Sequence, residues 1–474
     1  MNRVLFFALP VAFLLSACAG IPHETNVWEA APPLPQQWVG AEQTASHSRP
    51  FWEQFEDPVL LEMLEKLRKG SPNIKIAAAQ LGAARAGHQD AWADFYPEVR
   101  LSGEANRTHL SKRELPTDEV FGETQTPERL SNRFAAPLTL SYEPDIWGKI
   151  QDVNRAAHRE LTASKADLKG IRLLQETLLA ESYFQRRFVQ QEIHHLRLAQ
   201  QHAKDLLSLL SLQRAAGITS ADDMLQAERS IRDLKKQISV RASERESLKY
   251  TIAVLLGETP QDFELPMPLD VSENTSVPVV NPGLPTDLLL SRPDVIAAEN
   301  RLKATGARLD EARKAFLPDI TLSGQYGFAS RTLSRLVQPD ALAWHIGAEL
   351  VGVIFDGGRR AARIDMAEAE KKILLEEYRQ TILNALVEVE TALVQRQSLS
   401  DRLKAQKEQL KSLEYEYALA MERLKQGVTD KLEILALHQT IEQERIVQGE
   451  LDMAYRFNAV ALYKALGGSV NETP

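Results

Sequence analysis

Four segments of the chain alternate between apolar and polar residues with the period of two that a half-buried β-strand requires. They lie around residues 99–105, 134–142, 320–328 and 344–350. Each predicted strand has roughly ten residues, which is the length that a tilted strand needs to cross a bilayer. Because four strands cannot close a barrel and lipid tolerates no open edges, several copies of the chain would have to share one barrel. Two copies would fill the bore with side chains, whereas three would leave a lumen.

Two further segments predict helices that are too long for a compact globule. Proline is absent from residues 149–214 and 359–425, and about 66 helical residues at about 1.5 Å each span roughly 100 Å. The second segment also keeps a heptad spacing of apolar residues, with Gln406 as its polar exception. The heptad positions are Leu399, Leu403, Leu410, Leu413, Tyr417, Ala420 and Leu424. This spacing indicates that the helix packs along another helix as a coiled coil.

A glycine follows each long segment and predicts a helical hairpin. Gly217 and Gly427 fit the left-handed C-cap of a helix. Thr219 and Thr429 are expected to begin the next helix, which has about 39 residues in each case. Shorter helices are predicted over residues 57–94 and 285–315.

The same order of elements occurs twice along the chain, which predicts an internal duplication. Residues 95–103 recur as residues 316–324 at an offset of 221, and residues 216–219 recur as residues 426–429 at an offset of 210. The first copy therefore carries about 11 extra residues. We place them in the polar stretch 107–133, which is predicted to be a loop. The two predicted repeats are residues 57–283 and 284–474.

Composition excludes several classes of protein without naming a function. A mean hydropathy of −0.28 argues against a bundle of transmembrane helices. The formal net charge of −9 disfavours a general nucleic-acid binder, which needs a basic surface. The single cysteine can form neither an intramolecular disulfide nor a cysteine-based zinc site.

That cysteine follows an N-terminal segment with a short basic start and apolar residues 4–15, which is typical of a secretory signal. The motif Leu15-Ser16-Ala17-Cys18 resembles the bacterial lipobox, in which the chain is cleaved before the cysteine and lipid is attached there. Lipid chains on Cys18 would make release from a bilayer negligible. The alternative is an ordinary signal peptide with a chance cysteine. Ala19, in place of Asp, implies sorting to the outer membrane. We predict a signal peptide over residues 1–17 and a lipid-anchored, proline-rich tether over residues 18–56.

Several motifs at fixed spacing resemble the outer membrane factor family, specifically its lipoprotein branch of TolC- and OprM-like (NodT-type) efflux ducts. With the duplication and the lipobox, they are Arg292-Pro293-Asp294-Val295, Phe316-Leu317-Pro318-Asp319 and Phe355-Asp356-Gly357-Gly358-Arg359. The resemblance implies a mixed α and β membrane protein. In it, a homotrimer forms a twelve-stranded transmembrane β-barrel with four strands per chain, continued by a long periplasmic coiled α-barrel. Two departures are Pro144, where the family usually has an apolar residue, and Gln213, where the second repeat has Arg423.

The implied function is an outer-membrane exit duct that passively conducts small molecules in a tripartite efflux pump. The implied partners are a periplasmic adaptor, an inner-membrane transporter of the resistance-nodulation-division type, and outer-membrane lipid. A type I secretion duct would share this architecture. A periplasmic coiled-coil adaptor or structural lipoprotein is the alternative from a different class. It would explain the helices and the lipid but not the strands.

The resemblance also places the closure of such a duct just past the second turn glycine. The first helical turns after Gly427 carry Asp430, Leu432, Glu433 and Ala436. Glu433 matches a ring carboxylate of TolC-like members, Ala436 departs from a second acidic position, and Leu432 matches an apolar constriction of OprM-like members. Three copies of Glu433 around a narrow axis would repel each other and attract a cation. We therefore predict a periplasmic gate here; the alternative is that Glu433 only faces solvent on an early helical turn.

Enzymatic chemistry finds no support in the sequence. There is no glycine-rich phosphate loop, no nucleophile elbow and no paired acid and base signature. His194, His195 and His202 invite a metal interpretation, but their spacing on a long helix favours a solvated face. We predict no enzyme activity, no metal, no nucleic-acid partner and no cofactor apart from the covalent lipid on Cys18.

Overall fold

The computed structural model describes residues 31–39, 49–111, 119–120, 123–124, 130–265 and 276–468. The helices are α1 (Pro58–Gly70), α2 (Pro72–Ala93), α3 (Lys149–Ala215), α4 (Ala221–Leu256), α5 (Leu288–Ser291), α6 (Pro293–Lys314), α7 (Arg359–Lys425) and α8 (Lys431–Ala465). The strands are β1 (Glu98–Leu101), β2 (Glu104–His109), β3 (Glu119–Val120), β4 (Glu123–Thr124), β5 (Leu130–Tyr142), β6 (Asp319–Ser330) and β7 (Leu342–Val351). Short 3-10 helices cover Phe51–Phe55, Pro285–Asp287, Leu333–Arg335 and Pro339–Ala341.

The chain divides into two compact units, and each draws on both halves of the sequence. The first, which we call the sheet unit, comprises Ala83–Thr162 and Asn300–Leu375 and holds the main sheet. The second, the helical unit, contains the described residues up to Gly82 together with Ala163–Glu299 and the described residues from Glu376 onward. The compact units therefore do not coincide with the two sequence repeats.

The main sheet is antiparallel and has the order β1, β5, β6, β7, with β2 also paired to β5. The predicted first strand is thus interrupted at Ser102 and Gly103, although its register with β5 continues unchanged on both sides. Pro137 on β5 lies opposite this gap and has no N–H to donate to the ladder, while glycine gives a strand little support. The four predicted strands are otherwise present, with small shifts of their ends.

The segment predicted to be a loop over residues 107–133 is partly strand. The strand β2 continues to His109, and β5 begins at Leu130. Between them, β3 and β4 form a two-stranded antiparallel ladder. The loop prediction was therefore too wide, because polar residues are tolerated in strands that are not covered on both faces.

The sheet has one apolar face and one polar face. Strand pairing aligns Val99, Leu140, Gly324 and Ile346 in one row, and Leu101, Leu138, Tyr326 and Trp344 in the next. Both rows lie on the same face, where Ile346 is 77% exposed and Trp344 is 69% exposed. The alternate positions carry Arg100, Thr139, Gln325 and His345 on the opposite face. Large apolar side chains in contiguous rows on an exposed surface are typical of a face that contacts a membrane or another protein.

The two long helices have nearly the predicted length, since α3 and α7 each contain 67 residues and about 66 were expected. The helices that follow the turns are somewhat shorter than predicted, with 36 residues in α4 and 35 in α8. In the part of the chain that the structure describes, no helix combines the length and the apolar character that a membrane span requires.

The two shorter predicted helices are not continuous, so these predictions were wrong. The predicted helix over residues 57–94 is divided into α1 and α2 at Ser71, and the one over residues 285–315 is divided into a 3-10 helix, α5 and α6. Each main break comes directly before a proline, Pro72 or Pro293. Proline removes an N–H and disfavours helical geometry in the residue before it, so a new helix begins there.

Burial along α7 follows the predicted heptad. Leu403 is 7% exposed, Leu410 is 5% exposed and Ala420 is 2% exposed. The polar exception Gln406 donates its Nε2 hydrogens to the main-chain oxygen of Glu444 at 3.0 Å and to its carboxylate at 2.6 Å. The side chain that breaks the apolar pattern is therefore satisfied by α8, as a buried polar group must be.

The core of the helical unit includes part of the segment predicted to be a tether. In the 3-10 helix Phe51–Phe55, the side chains of Phe51, Trp52 and Phe55 are buried. Phe51 stacks on Tyr463 with ring centroids 4.0 Å apart, and Trp52 donates its indole N–H to Glu176 at 3.1 Å. This end of the segment is packed in the core.

Candidate functional site

Both hairpins turn through the same backbone motif. Gly217 has a φ of 77° and Gly427 a φ of 72°, in the left-handed region. At the first turn, the amide of Ile218 donates to the Gln213 carbonyl at 2.9 Å and that of Gly217 donates to the Arg214 carbonyl at 2.9 Å. The second turn repeats both bonds, at 2.9 Å from Val428 to Arg423 and 3.0 Å from Gly427 to Leu424. This pair of bonds is the Schellman motif, which requires a left-handed residue and so favours glycine.

The helices after the turns do not begin at the predicted threonines. The N-cap of α4 is Ser220, which forms a capping box with Asp223, and the N-cap of α8 is Asp430. Thr219 donates its hydroxyl hydrogen to Asp223 at 3.1 Å, and Thr429 donates to Glu433. The prediction was one residue early, because each threonine supports the carboxylate of the first helical turn instead of capping the amides.

The capping interactions at the start of α4 change the acidity of Asp223. Ser220 donates to Asp223 through its hydroxyl at 2.6 Å and through its amide at 3.1 Å. The hydroxyl bond is the largest cause that lowers the pKa of Asp223 below its usual range, followed by the amide bond and by Thr219. The Asp223 carboxylate therefore stays ionised further into the acid range than an ordinary aspartate, and its charge complements the helix dipole.

The predicted gate residues lie on the first two turns of α8. Asp430 accepts hydrogen bonds from the amides of Leu432 at 3.0 Å and Glu433 at 3.1 Å, so its carboxylate is engaged in capping. Leu432 is half-buried within the chain, whereas Glu433 and Ala436 are exposed. The structure thus places the four residues together beside Gly427. The predicted lipidation site, Cys18, lies outside the described residues.

Two of the motifs that carry the family resemblance make structural contacts, each within a single unit. In the helical unit, the buried Arg292 donates to Asp294 at 2.6 Å, to Glu388 at 2.8 Å and to the main-chain oxygen of Ala465 at 2.7 Å. Burial by itself would raise the pKa of Asp294, but the hydrogen bond and charge of Arg292 hold it below its usual range. These contacts tie α6 to α7 and to the end of α8.

In the sheet unit, the motif Phe355-Asp356-Gly357-Gly358-Arg359 forms the turn that leads from β7 into α7. The carboxylate of Asp356 accepts from the amide of Gly358 at 3.1 Å and from Arg360 Nε at 2.8 Å. Gly357 and Gly358 have φ values of 67° and 87°, which only glycine adopts without strain. The motif is therefore a structural corner of the fold.

The interpretation of the histidines as a solvated face was wrong for two of the three. His194 is exposed, but His195 and His202 are half-buried. His195 Nδ1 lies 2.6 Å from a carboxylate oxygen of Glu442, and the His202 ring stacks on that of His438 with centroids 4.2 Å apart. Spacing along α3 could not reveal this, because the contacting residues come from α8.

The sequence profile described as "Outer membrane efflux protein" matches residues 63–258 and 284–468. The chain belongs to the outer membrane efflux protein family. The pyoverdine export outer membrane protein OpmQ of Pseudomonas putida KT2440 is 30% identical over 460 residues, covering 97% of this chain and 96% of the relative. The cation efflux system protein CusC of Escherichia coli O6:H1 is 26% identical over 465 residues, covering 97% of each chain.

Solved structures of outer-membrane channels share the fold of this family member. The structure of the channel OprN superposes with a TM-score of 0.81 at 26% identity, covering 93% of this chain and 99% of the other. A structure of CusC gives a TM-score of 0.78 at 26% identity, covering 92% and 98%. The predictions of family, of a mixed α and β channel fold and of an efflux duct in the outer membrane are confirmed. These relatives are efflux channels and not enzymes. The alternative that the chain is a periplasmic coiled-coil adaptor is therefore rejected.

Proposed function

We propose that three copies of this chain form the passive exit duct of a tripartite efflux pump. The observation that carries the proposal is the main sheet, whose order begins at β1 and ends at β7 without a further paired strand among the described residues. Unpaired strand edges cannot face lipid, so the edge of β1 and β2 must pair with β7 of another copy. Three copies supply twelve strands, which is enough for a lumen.

The faces of the sheet support this arrangement. Turning the rows of Val99 and Leu101 outward places Ile346 and Trp344 against lipid, and it lines the bore with Arg100, Thr139, Gln325 and His345. Alternation of apolar outward and polar inward positions is what a transmembrane barrel requires. The long helices would continue the bore through the periplasm as a coiled α-barrel.

The assembly is tested by its mass in mild detergent. We expect the purified protein to run as a single species of about three times the 53.1 kDa chain mass by light scattering. Heating in dodecyl sulfate should convert it to the monomer with loss of the strand signal in circular dichroism. A stable, fully folded monomer would overturn the proposed trimer.

A periplasmic adaptor and an inner-membrane transporter of the resistance-nodulation-division type are the proposed partners. Because the sequence carries no nucleotide-binding motif, the energy for transport must come from a partner. The hairpin turns offer the contact surface, since Ile218 is 74% exposed and Val428 is 73% exposed. In a trimer, six such apolar side chains would lie on the exposed turns, where an adaptor could cover them. We assign the chain no catalytic role of its own.

Lipid attachment at Cys18 is proposed as a second anchor beside the barrel. Cys18→Ser should abolish labelling with radioactive palmitate and slow delivery to the outer membrane. Since this is the only cysteine, labelling of the chain reports on that residue alone. Unchanged labelling of the variant would reject the lipobox.

The periplasmic gate is proposed at Leu432 and Glu433. In a trimer, three Glu433 carboxylates would surround the axis, with Leu432 forming the apolar constriction beside them. Single-channel recording in planar bilayers should show that Glu433→Gln lowers cation selectivity and weakens block by divalent ions. Leu432→Ala should raise the conductance. Glu433→Asp keeps the charge and is the matched control. If both test variants conduct and block like the wild type, the gate lies elsewhere.

A further inference from the structure

The strongest unassigned cluster of ligating side chains lies in the helical unit, between α3 and α8. One ring nitrogen of His202, one of His438 and a carboxylate oxygen of Glu442 lie within 4.8 Å of one another. The two histidines are half-buried and Glu442 is buried. We propose that these three side chains bind a divalent transition-metal ion of the zinc type.

The donor set fits this chemistry. Two imidazoles and one carboxylate are typical ligands of Zn²⁺, which takes four ligands in a tetrahedron and often keeps water as one of them. Bonds of about 2.0–2.1 Å in a tetrahedron put the ligand atoms roughly 3.4 Å apart. The observed separations lie within 4.8 Å. The His202 and His438 rings are stacked with an interplanar angle of 18°, and imidazole lone pairs lie in the ring plane, so one ring turns out of this stack when the ion binds. His438 and Glu442 are four residues apart on α8 and share a helix face, which fixes two ligands together.

Neighbouring side chains supply the outer contacts that metal ligands need. The Tyr417 hydroxyl lies 2.8 Å from His438 Nε2, so it can hold that nitrogen protonated and direct the lone pair to Nδ1. His195 lies 2.6 Å from one oxygen of Glu442, and Arg445 lies 3.3 Å from the other. Both oxygens of Glu442 are thus held in place by side chains outside the ligand set.

A bound ion would connect α8 to α3 within one chain. His438 lies two residues beyond Ala436, so the connection comes directly after the segment in which we place the gate. Binding itself needs residues of a single helical unit only. It therefore does not rest on the trimer or on the gate, and its test is separate from theirs.

The test uses the purified full-length protein in detergent, with the affinity tag removed and metals stripped by a chelator. Calorimetric titration with Zn²⁺ should show one ion per chain in the wild type. Visible absorption on adding Co²⁺ should report a tetrahedral site with nitrogen and oxygen ligands. His202→Gln and His438→Gln should each lower the affinity at least tenfold, and Tyr417→Phe should lower it roughly tenfold by loss of the outer contact.

His194→Gln is the matched control, because this exposed histidine lies on the same helix outside the cluster. It should bind Zn²⁺ like the wild type. Circular dichroism at the working temperature keeps only folded variants in the comparison. Zn²⁺ should raise the thermal midpoint of the wild type and the control more than that of the ligand variants. Absence of stoichiometric binding by the wild type would overturn the site. Equal affinity of the two ligand variants and the control would do the same.

Discussion

Arginine in place of Ile346 is expected to stop most of the protein from inserting into the outer membrane. Ile346 lies in the row with Val99, Leu140 and Gly324, with further apolar rows on both sides of it. In the proposed barrel this row faces lipid, where an arginine near the middle of the bilayer costs about 2–4 kcal/mol in each chain, and a trimer would carry the cost three times. The measurement is the fraction of heat-modifiable trimer in outer-membrane preparations.

His345→Arg is the control for this variant. It introduces the same charge one residue earlier on β7, where the side chain lies on the polar face with Gln325 and Thr139. We expect it to insert normally and to change only the conductance. Equal loss of inserted trimer in the two variants would show that the apolar face does not meet lipid.

Arg292→Ala is expected to lower the free energy of unfolding by about 3 kcal/mol. The side chain is 8% exposed, whereas its partners Asp294 and Glu388 are 50% and 47% exposed. In Arg292→Ala the carboxylates can recover some hydration, but the main-chain oxygen of Ala465 loses its buried donor. The thermal midpoint in detergent, followed by circular dichroism, should fall by several degrees.

The pH dependence of this loss provides an independent check. Arg292 lowers the folded-state pKa of Asp294, so the contribution of this pair is present above the unfolded pKa and is lost as the pH falls through the folded one. The difference between wild type and Arg292→Ala should therefore shrink in acid. Arg308→Ala is the control, since its ion pair with Glu160 is 45% and 35% exposed and should contribute at most about 1 kcal/mol. A midpoint for Arg292→Ala equal to that of the control would contradict the role of the network.

The sequence was sufficient for the parts of the fold that depend on periodicity. The strands follow from alternation, and α3 and α7 follow from long runs without proline, because both signals are local and repeat many times. The breaks before Pro72 and Pro293 were missed, although a proline restricts the residue before it and so carried a local signal for each break. The N-caps could not be assigned uniquely, because Thr219 and Ser220 are both competent caps and the backbone decides between them.

Contacts between residues that are far apart in the sequence could not be predicted for the candidate sites. His195 and Glu442 are 247 residues apart in sequence, and no spacing rule connects them. The interruption between β1 and β2 likewise depends on Pro137, which belongs to the partner strand. Arg292 and Asp356 belong to the motifs that carried the family resemblance, and the structure shows what each of them does. Arg292 joins α6 to α7 and to the end of α8, and Asp356 closes the turn from β7 into α7.

The identity of the two hairpin turns has a consequence for the stoichiometry of the pump. Both turns have the same Schellman bonds, and each ends in an exposed β-branched residue, Ile218 or Val428. Three chains would therefore present six positions with equivalent backbone, and an adaptor that contacts the turn itself could bind as six copies. An adaptor that needs an arginine at the position whose carbonyl accepts from Ile218 or Val428 would find only three, because Gln213 occupies in the first turn the place of Arg423 in the second. An adaptor that contacts this position would bind three to three, and one that contacts only the shared backbone would bind six to three.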